Sequence, residues 1–155
     1  MINNDILRRY QFALSLSRKD SIDVFSKAGL SVTSDKLDAL LKKEEEEGFQ
    51  LCSDYELTCF LDGVLYVRRG RQPDAKNPDP DCFLDNNLIL RKMRIALEMK
   101  ENDMLEILKL ADFKMSGSEL RALFRNRDHQ NYRICGDQVL RKFLSGLTLR
   151  LRKNI

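Results

Sequence analysis

Apolar residues recur along this chain at spacings of three and four. Ile6, Leu7, Tyr10, Ala13 and Leu14 form one such stripe. Ile22, Val24, Phe25 and Ala28 form a second, Leu37, Leu40 and Leu41 a third, and Leu57, Phe60, Leu61, Val64 and Leu65 a fourth. That period is the signature of a helix burying one face. Four more stripes follow: Ile89, Leu90, Met93, Ala96 and Leu97; Leu105, Ile107, Leu108 and Ala111; Leu120, Leu123 and Phe124; and Leu140, Phe143, Leu144 and Leu147. No segment sustains the apolar-polar alternation of a strand, so the pattern predicts an all-α protein.

The second set of stripes is the first displaced by 83 residues, without a gap. Asn3-Asn4-x-Ile6-Leu7-Arg8 becomes Asn86-Asn87-x-Ile89-Leu90-Arg91. Phe49-x-x-Cys52-x-Asp54 becomes Tyr132-x-x-Cys135-x-Asp137, and Leu57-x-x-Phe60-Leu61-x-Gly63 becomes Leu140-x-x-Phe143-Leu144-x-Gly146. This period exceeds the roughly 20–50 residues of solenoid and propeller units. It indicates a duplicated domain: helical repeat 1 over residues 1–70 and helical repeat 2 over 86–155. Between them lies a proline-rich linker, 71–85, holding Pro73, Pro78 and Pro80, the only prolines of the chain. A unit of about 65–70 residues buries only about 60% of its unfolded surface and is marginal alone. The two four-helix repeats are therefore expected to pack together about a pseudo-two-fold axis.

Helix starts are marked by polar residues that accept unpaired backbone N–H groups. The Asn pairs are expected to cap the first helix of each repeat. Asp20 and Asp103 are expected to start the second helices, with Asp103 and Glu106 as a capping box. Thr33 and Ser116 mark the third helices, and Ser53 and Gly136 the fourth. Gly63 and Gly146 fall inside the fourth helices, where glycine costs about 1 kcal/mol relative to alanine. Their presence in both repeats points to a close backbone approach, either between the two fourth helices or between the fourth and first helices of one repeat.

Charged residues make up 33% of the chain and apolar residues 43%, as in a soluble globular protein. No apolar run has the length of a membrane span, and the start lacks the apolar core of a signal peptide. Cys52, Cys59, Cys82 and Cys135 form no CxxC pair, which suits reduced thiols in the cytoplasm. The net charge of +3 conceals an imbalance. Residues 1–70 carry ten Lys/Arg against twelve Asp/Glu, whereas residues 86–155 carry fifteen against eight. The inversion is also local: Lys42-Lys43-Glu44-Glu45-Glu46-Glu47-Gly48 is matched by Arg125-Asn126-Arg127-Asp128-His129-Gln130-Asn131. Here the repeats differ most, and here a partner site is expected. The partner is either an anionic molecule or the acidic face of the other repeat, within or between chains.

Catalytic constellations are weak. Cys52 and Cys135 recur in register, but a nucleophile needs a base and an orienting group. His129, the single histidine, has no counterpart in repeat 1, where Glu46 stands. Buried structural thiols are the better reading. Adjacent glutamates on a helix point in different directions, so the Glu44–Glu47 run reads as a solvated helix end. Phosphate-cradling glycine loops and paired metal-ligand spacings do not occur. No catalytic, cofactor-binding or metal-binding residue is expected, and no cofactor.

The second and third helices, joined by a short turn, have the outline of a helix-turn-helix, with Gly29 at the turn. The fit is imperfect. Phe25 stands where close crossing requires a small residue, and in repeat 2 Asp112 replaces the glycine. The residues that would face a nucleic acid or another partner are Lys114, Ser116, Ser118, Arg121, Arg125, Arg127 and His129. Their counterparts in repeat 1 include Asp35, Asp38 and Glu44, poor neighbours for phosphate.

The doubled NND-x-LR starts, the Phe49-x-x-Cys52-x-Asp54 and Phe60-Leu61-x-Gly63 motifs, and Cys135-Gly136-Asp137-Gln138 resemble the YehS-like family. This is a family of uncharacterised bacterial cytoplasmic proteins defined by a tandem domain of unknown function. The resemblance covers nearly the whole chain. It implies an all-helical, duplicated, cytosolic protein, and brings no catalytic residue, cofactor or partner. The reading that results is a non-catalytic cytoplasmic interaction or regulatory module with a protein partner. Self-association is compatible with it, and no membrane is involved. Its alternative is a nucleic-acid-binding regulator acting mainly through basic repeat 2.

Overall fold

The apolar stripes fold into eight helices, seen in a computed structural model that describes residues 1–153. Repeat 1 contains α1 (Asn3–Ala13), α2 (Arg18–Lys27), α3 (Ser34–Leu41) and α4 (Asp54–Arg69). Repeat 2 contains α5 (Asn86–Ala96), α6 (Glu101–Leu110), α7 (Gly117–Leu123) and α8 (Asp137–Leu151). Among the described residues every regular element is a helix. Asn154 and Ile155, the end of expected repeat 2, lie outside the described residues.

Equivalent stripes are buried alike. Ile6, Leu7, Phe60 and Leu61 are enclosed in repeat 1, as are Ile89, Leu90, Phe143 and Leu144 in repeat 2, and all belong to one continuous core. The core is continuous because the repeats pack on each other: α4 lies against α5, and α1 against α8. The first helix of each repeat thus covers the fourth helix of the other. The chain is two tandem four-helix repeats related by an internal pseudo-two-fold.

Four helices of the interface run in one direction. The amino ends of α1 and α4 meet where Asn3 Nδ2 donates to Asp54 Oδ1 at 2.8 Å, and those of α5 and α8 meet through Asn86 and Asp137, also at 2.8 Å. The Met1 ammonium donates to Asp137 Oδ2 at 2.8 Å, joining the amino ends of α1 and α8. The carboxyl ends are joined by two arginines in equivalent places. Arg152, after α8, donates to the Phe12 carbonyl at the end of α1 at 3.0 Å, and to Ser15 Oγ at 2.6 Å. Arg69, at the end of α4, donates to the Ile95 carbonyl of α5 at 3.1 Å and pairs with Glu98 at 3.1 Å. Cations at these carboxyl termini also complement the helix dipoles. A two-fold that exchanges α1 with α5 and α4 with α8, yet leaves all four pointing the same way, has to run along them.

Several local expectations are corrected by the structure. The Asn pairs do not cap: they are the first two residues of α1 and α5, whose N-caps are Ile2 and Asp85. Asp20 and Asp103 lie at the third position of α2 and α6 and accept from the backbone N–H of Ser17 and Lys100; Asp103 makes no box with Glu106. A carboxylate serves the helix start equally well there, because it reaches back to the N-cap donor. Thr33, Ser116, Ser53 and Gly136 occupy the N-cap positions the sequence suggested. α3 ends at Leu41, so the acidic run lies in the loop that follows, not on the helix end.

Gly63 and Gly146 also make a contact other than the expected ones. Each faces the second helix of its own repeat. A β-carbon on Gly63 would strike the Val24 carbonyl, with the carbonyl carbon at 2.8 Å; on Gly146 it would strike that of Ile107 in the same way. The glycines allow α2 to cross α4, and α6 to cross α8, at backbone contact.

Residues 71–85 form no helix, yet they hold to repeat 1. Arg71 donates to the Lys27 carbonyl at 2.7 Å, and Asn77 lies over Gly29. Cys82 Sγ reaches Thr58 Oγ1 at 3.5 Å, and Leu84 is buried. Gly29 has φ +88°, and a side chain there would meet Asn77. The equivalent Asp112 holds φ +57°.

Candidate functional site: an arginine cleft in repeat 2

The loops between the third and fourth helices are held from below by buried asparagines. Asn4, fully enclosed, donates to the carbonyls of Leu40 and Gln50 at 2.9 and 2.8 Å and accepts from the Cys52 N–H at 2.9 Å. Asn87 repeats this with Leu123, Arg133 and Cys135 at 3.0, 2.8 and 2.9 Å. A primary amide suits this place because it supplies two donors and an acceptor together. The two loops therefore share one base while their outer residues differ in charge.

In repeat 2 the loop, α5 and the residues before α5 enclose an open cleft of about 510 Å³. Arg91, Arg125 and Arg127 line it, together with the rings of Phe83, Phe124 and Tyr132. Asp85 is its carboxylate and is bound by Arg127, whose guanidinium also lies over the Phe83 ring, 4.6 Å from the centroid. Arg91 donates to the Phe124 carbonyl at 2.7 Å and remains exposed.

Repeat 1 neutralises the same ground. Arg8, the equivalent of Arg91, pairs with Asp5 at 2.6 Å and donates to the Leu41 and Lys42 carbonyls. Asp5 is replaced by Leu88 in repeat 2, which removes the counter-ion from Arg91. The positions of Arg127, Asp128, His129 and Gln130 are held by Glu44 to Glu47, all exposed. Lys42 Nζ is turned back to the Glu47 carbonyl at 2.7 Å.

The residues singled out from the sequence divide among separate surfaces. Arg125 and Arg127 line the cleft. His129 is exposed on the same loop, with Nδ1 accepting from the Asn131 N–H at 3.0 Å. Ser118 lies with Arg125 and Arg133 along a neighbouring hollow of about 420 Å³. Lys114 and Ser116 lie outside the cleft, in a hollow shared with Glu106 and Glu119. Ser116 is occupied as N-cap, and its N–H and hydroxyl together hold the Glu119 carboxyl below its ordinary value. Arg121 is bound to Glu101 at 2.7 Å. Arg91, Phe83, Asp85 and Tyr132 were not singled out. The signal for them was present in the 83-residue comparison: Asp5 against Leu88, and Ile2 against Asp85.

The thiols stand apart from the cleft. Cys52, Cys59 and Cys135 are buried, and burial pushes them up to about 12, about 11 and about 12. Such thiols are protonated and inert near neutrality. Among the described residues, no helix is long and apolar enough to cross a membrane.

Comparison with known proteins agrees with the duplication. A family model described as "Protein of unknown function (DUF1456)" matches the chain twice, over residues 3–70 and 86–153. The chain is 40% identical over 150 residues to "Uncharacterized protein YehS" of Escherichia coli (strain K12), covering 97% of this chain and 96% of that protein. No solved structure matches. With both its halves fitting one family model, and with a relative similar over nearly its full length, the chain belongs to the DUF1456 family and carries that domain as two tandem copies.

Proposed function

We propose that the protein is a non-catalytic cytoplasmic interaction module that binds a carboxylate-rich protein segment in the arginine cleft of repeat 2. The supporting observation is the opposite charge of two loops built on one asparagine anchor. Repeat 1 presents Glu44 to Glu47, whereas repeat 2 presents Arg125 and Arg127 beside an Arg91 relieved of its counter-ion. Guanidinium groups grip carboxylates through paired, charge-assisted hydrogen bonds. Asp85 already meets Arg127 through one such contact, which leaves the exposed guanidinium of Arg91 and that of Arg125 as the main grip. The rings of Phe83, Phe124 and Tyr132 supply apolar walls for the aliphatic parts of such a segment. Residues 1–70 and 86–155 act in this reading as paired repeats, joined by 71–85 as a linker.

Binding of a fluorescent glutamate-rich peptide, followed by anisotropy, tests this reading. The wild-type protein should bind it, with affinity falling as salt rises, and Arg125→Glu should abolish binding. A peptide that stays unbound both to the wild-type chain and to a chain with Glu44→Arg and Glu45→Arg, whose own acidic loop cannot compete, overturns the proposal.

Nucleic-acid binding is the second reading, favoured by the basic half of the chain. It has less support, since α7 spans only seven residues and Arg121 is bound to Glu101. Random duplex DNA and RNA at low salt provide the comparison. Binding with a steep salt dependence would favour phosphate contacts.

A further inference from the structure

We infer that the end of the molecule where the amino termini of α1, α4, α5 and α8 gather is an interface between two copies of this chain. The acidic loop of each copy would occupy the arginine cleft of the other. The inference rests on the reading of the cleft as a carboxylate site, and it names the segment that fills it.

Three observations converge on this end. First, it carries exposed apolar side chains at equivalent positions of the two repeats. Leu51 is 65% exposed and Ile134 82%, each one residue before the buried Cys52 or Cys135. Both follow the residue whose carbonyl is held by Asn4 or Asn87, so their backbones are fixed at the helix starts. Phe83, 60% exposed, lies two residues before the start cap of α5. Phe12 and Ile95 form another exposed matched pair at the opposite end, so exposure alone does not choose between the ends; Leu51 and Ile134 are the more exposed pair and give this end an apolar surface beside its charges.

Second, this end carries both partners of a charge pair. Both loops sit at the amino ends, since Asn4 and Arg8 of α1 hold one, and Asn87 and Arg91 of α5 hold the other. The carboxylates of Glu44 to Glu47 are exposed, while the ion pairs of repeat 1 are made elsewhere, by Arg8 with Asp5, Arg18 with Asp38 and Lys36 with Glu56.

Third, the symmetry of the chain prevents the two loops from meeting within one molecule and lets them meet between two. The internal two-fold runs along the parallel helices, so the acidic loop and the arginine cleft lie on opposite sides of it at the same end. Turning a second copy by 180° about a line lying in that end face sets its acidic loop over the first copy's cleft, and its cleft over the first copy's acidic loop. Both contacts form at once and the assembly closes as a dimer, as an isologous interface requires. Leu51 and Ile134 of both copies then lie in the contact, together with the charges of the loops.

Sedimentation equilibrium of the wild-type chain and two charge-reversed variants tests the inference. One variant carries Arg125→Glu with Arg127→Glu, the other Glu44→Arg with Glu45→Arg. The substitutions are in loops, and circular dichroism confirms that the helices persist. The wild-type chain should sediment at twice the chain mass, weakening as salt rises, and each variant should be monomeric. An equimolar mixture of the variants should recover the dimer, because both contacts are then complementary again. Leu51→Ser with Ile134→Ser should weaken the wild-type dimer at least tenfold. A wild-type chain that stays monomeric overturns the inference, as does a dimer indifferent to all these substitutions or a mixture that fails to associate. If the wild-type chain is monomeric but still binds the glutamate-rich peptide, the dimer falls and the reading of the cleft stands. If neither occurs, both fall.

Discussion

Gly63 rests against the carbonyl group of Val24, so closely that a β-carbon would have the carbonyl carbon 2.8 Å away. Alanine at this position brings two opposed effects. Its better helix propensity is worth about 1 kcal/mol, whereas forcing packed helices apart costs about 1–3 kcal/mol or more. The blocking atoms are backbone, which cannot rotate away, so the second effect wins. Gly63→Ala and Gly146→Ala should each lower stability by about 1–2 kcal/mol net, read as a reduced urea midpoint. An unchanged midpoint would show that α2 and α6 shift freely.

The asparagine anchors make a sharper case. Replacing Asn4 by alanine leaves two carbonyls and one N–H of a buried loop without partners. Each unsatisfied group costs about 1–3 kcal/mol. With partial relaxation, Asn4→Ala and Asn87→Ala should each cost on the order of 3 kcal/mol. Amide exchange should rise at Cys52 or Cys135, whose N–H groups are the ones released. Protection retained at those amides would count against the anchor.

Tyr10 is the opposite kind of residue. It is fully buried against Phe60, and its hydroxyl has no hydrogen-bond partner. The equivalent position is Met93, which has no hydroxyl to satisfy. Tyr10→Phe removes the unpaired group and keeps the ring, so it should raise stability by about 1 kcal/mol, seen as a higher melting temperature. A fall would mean that the hydroxyl makes a bond important to the fold.

Thiol chemistry should separate the four cysteines. Cys82 is partly exposed and the other three are buried. In the folded protein a thiol reagent at neutral pH should modify one thiol quickly, and all four only after unfolding. The raised values of Cys52, Cys59 and Cys135 also fix a direction for stability. Burial favours their neutral form, so their stabilising contribution is complete below the ordinary thiol value of 9.0 and declines as pH climbs toward 11–12. Denaturant midpoints should fall over that range, and Cys52→Ala should make the fall shallower. A midpoint insensitive to pH above 9 would contradict this.

The reciprocal arginines should show what holds the repeats together. Arg152 binds the Phe12 carbonyl and lies over the Phe12 ring, 4.1 Å from its centroid. Arg69 binds the equivalent Ile95 carbonyl, where no ring is present. Because Arg69 also pairs with Glu98, the ring is tested within one site: Arg152→Ala should cost more in the wild-type chain than in a Phe12→Leu chain, by about 0.5–1 kcal/mol of cation–π attraction. Equal losses of the two chains in chemical denaturation would remove that ring contact from the account.

Periodicity and self-comparison were enough to read eight helices, their burial and the pairing of equivalent positions, because each stripe is a local property repeated in a second context. Ile6 with Ile89 and Phe60 with Phe143 occupy like environments for that reason. The charge inversion between positions 42–47 and 125–130 was equally legible, since comparing two copies needs no coordinates. The same pattern misled where one residue type serves two purposes. Asparagine before an apolar run signals a cap, yet Asn4 and Asn87 bind a loop 36 to 48 residues away. Which helix Gly63 approaches, and that Arg91 and Phe83 join Arg125 and Arg127 in one cleft, were decided only by the folded chain. These contacts join elements far apart in sequence, and their partners are chosen by how the helices cross. Local propensity limits the elements each segment can form, whereas packing of the whole core selects which neighbours they meet.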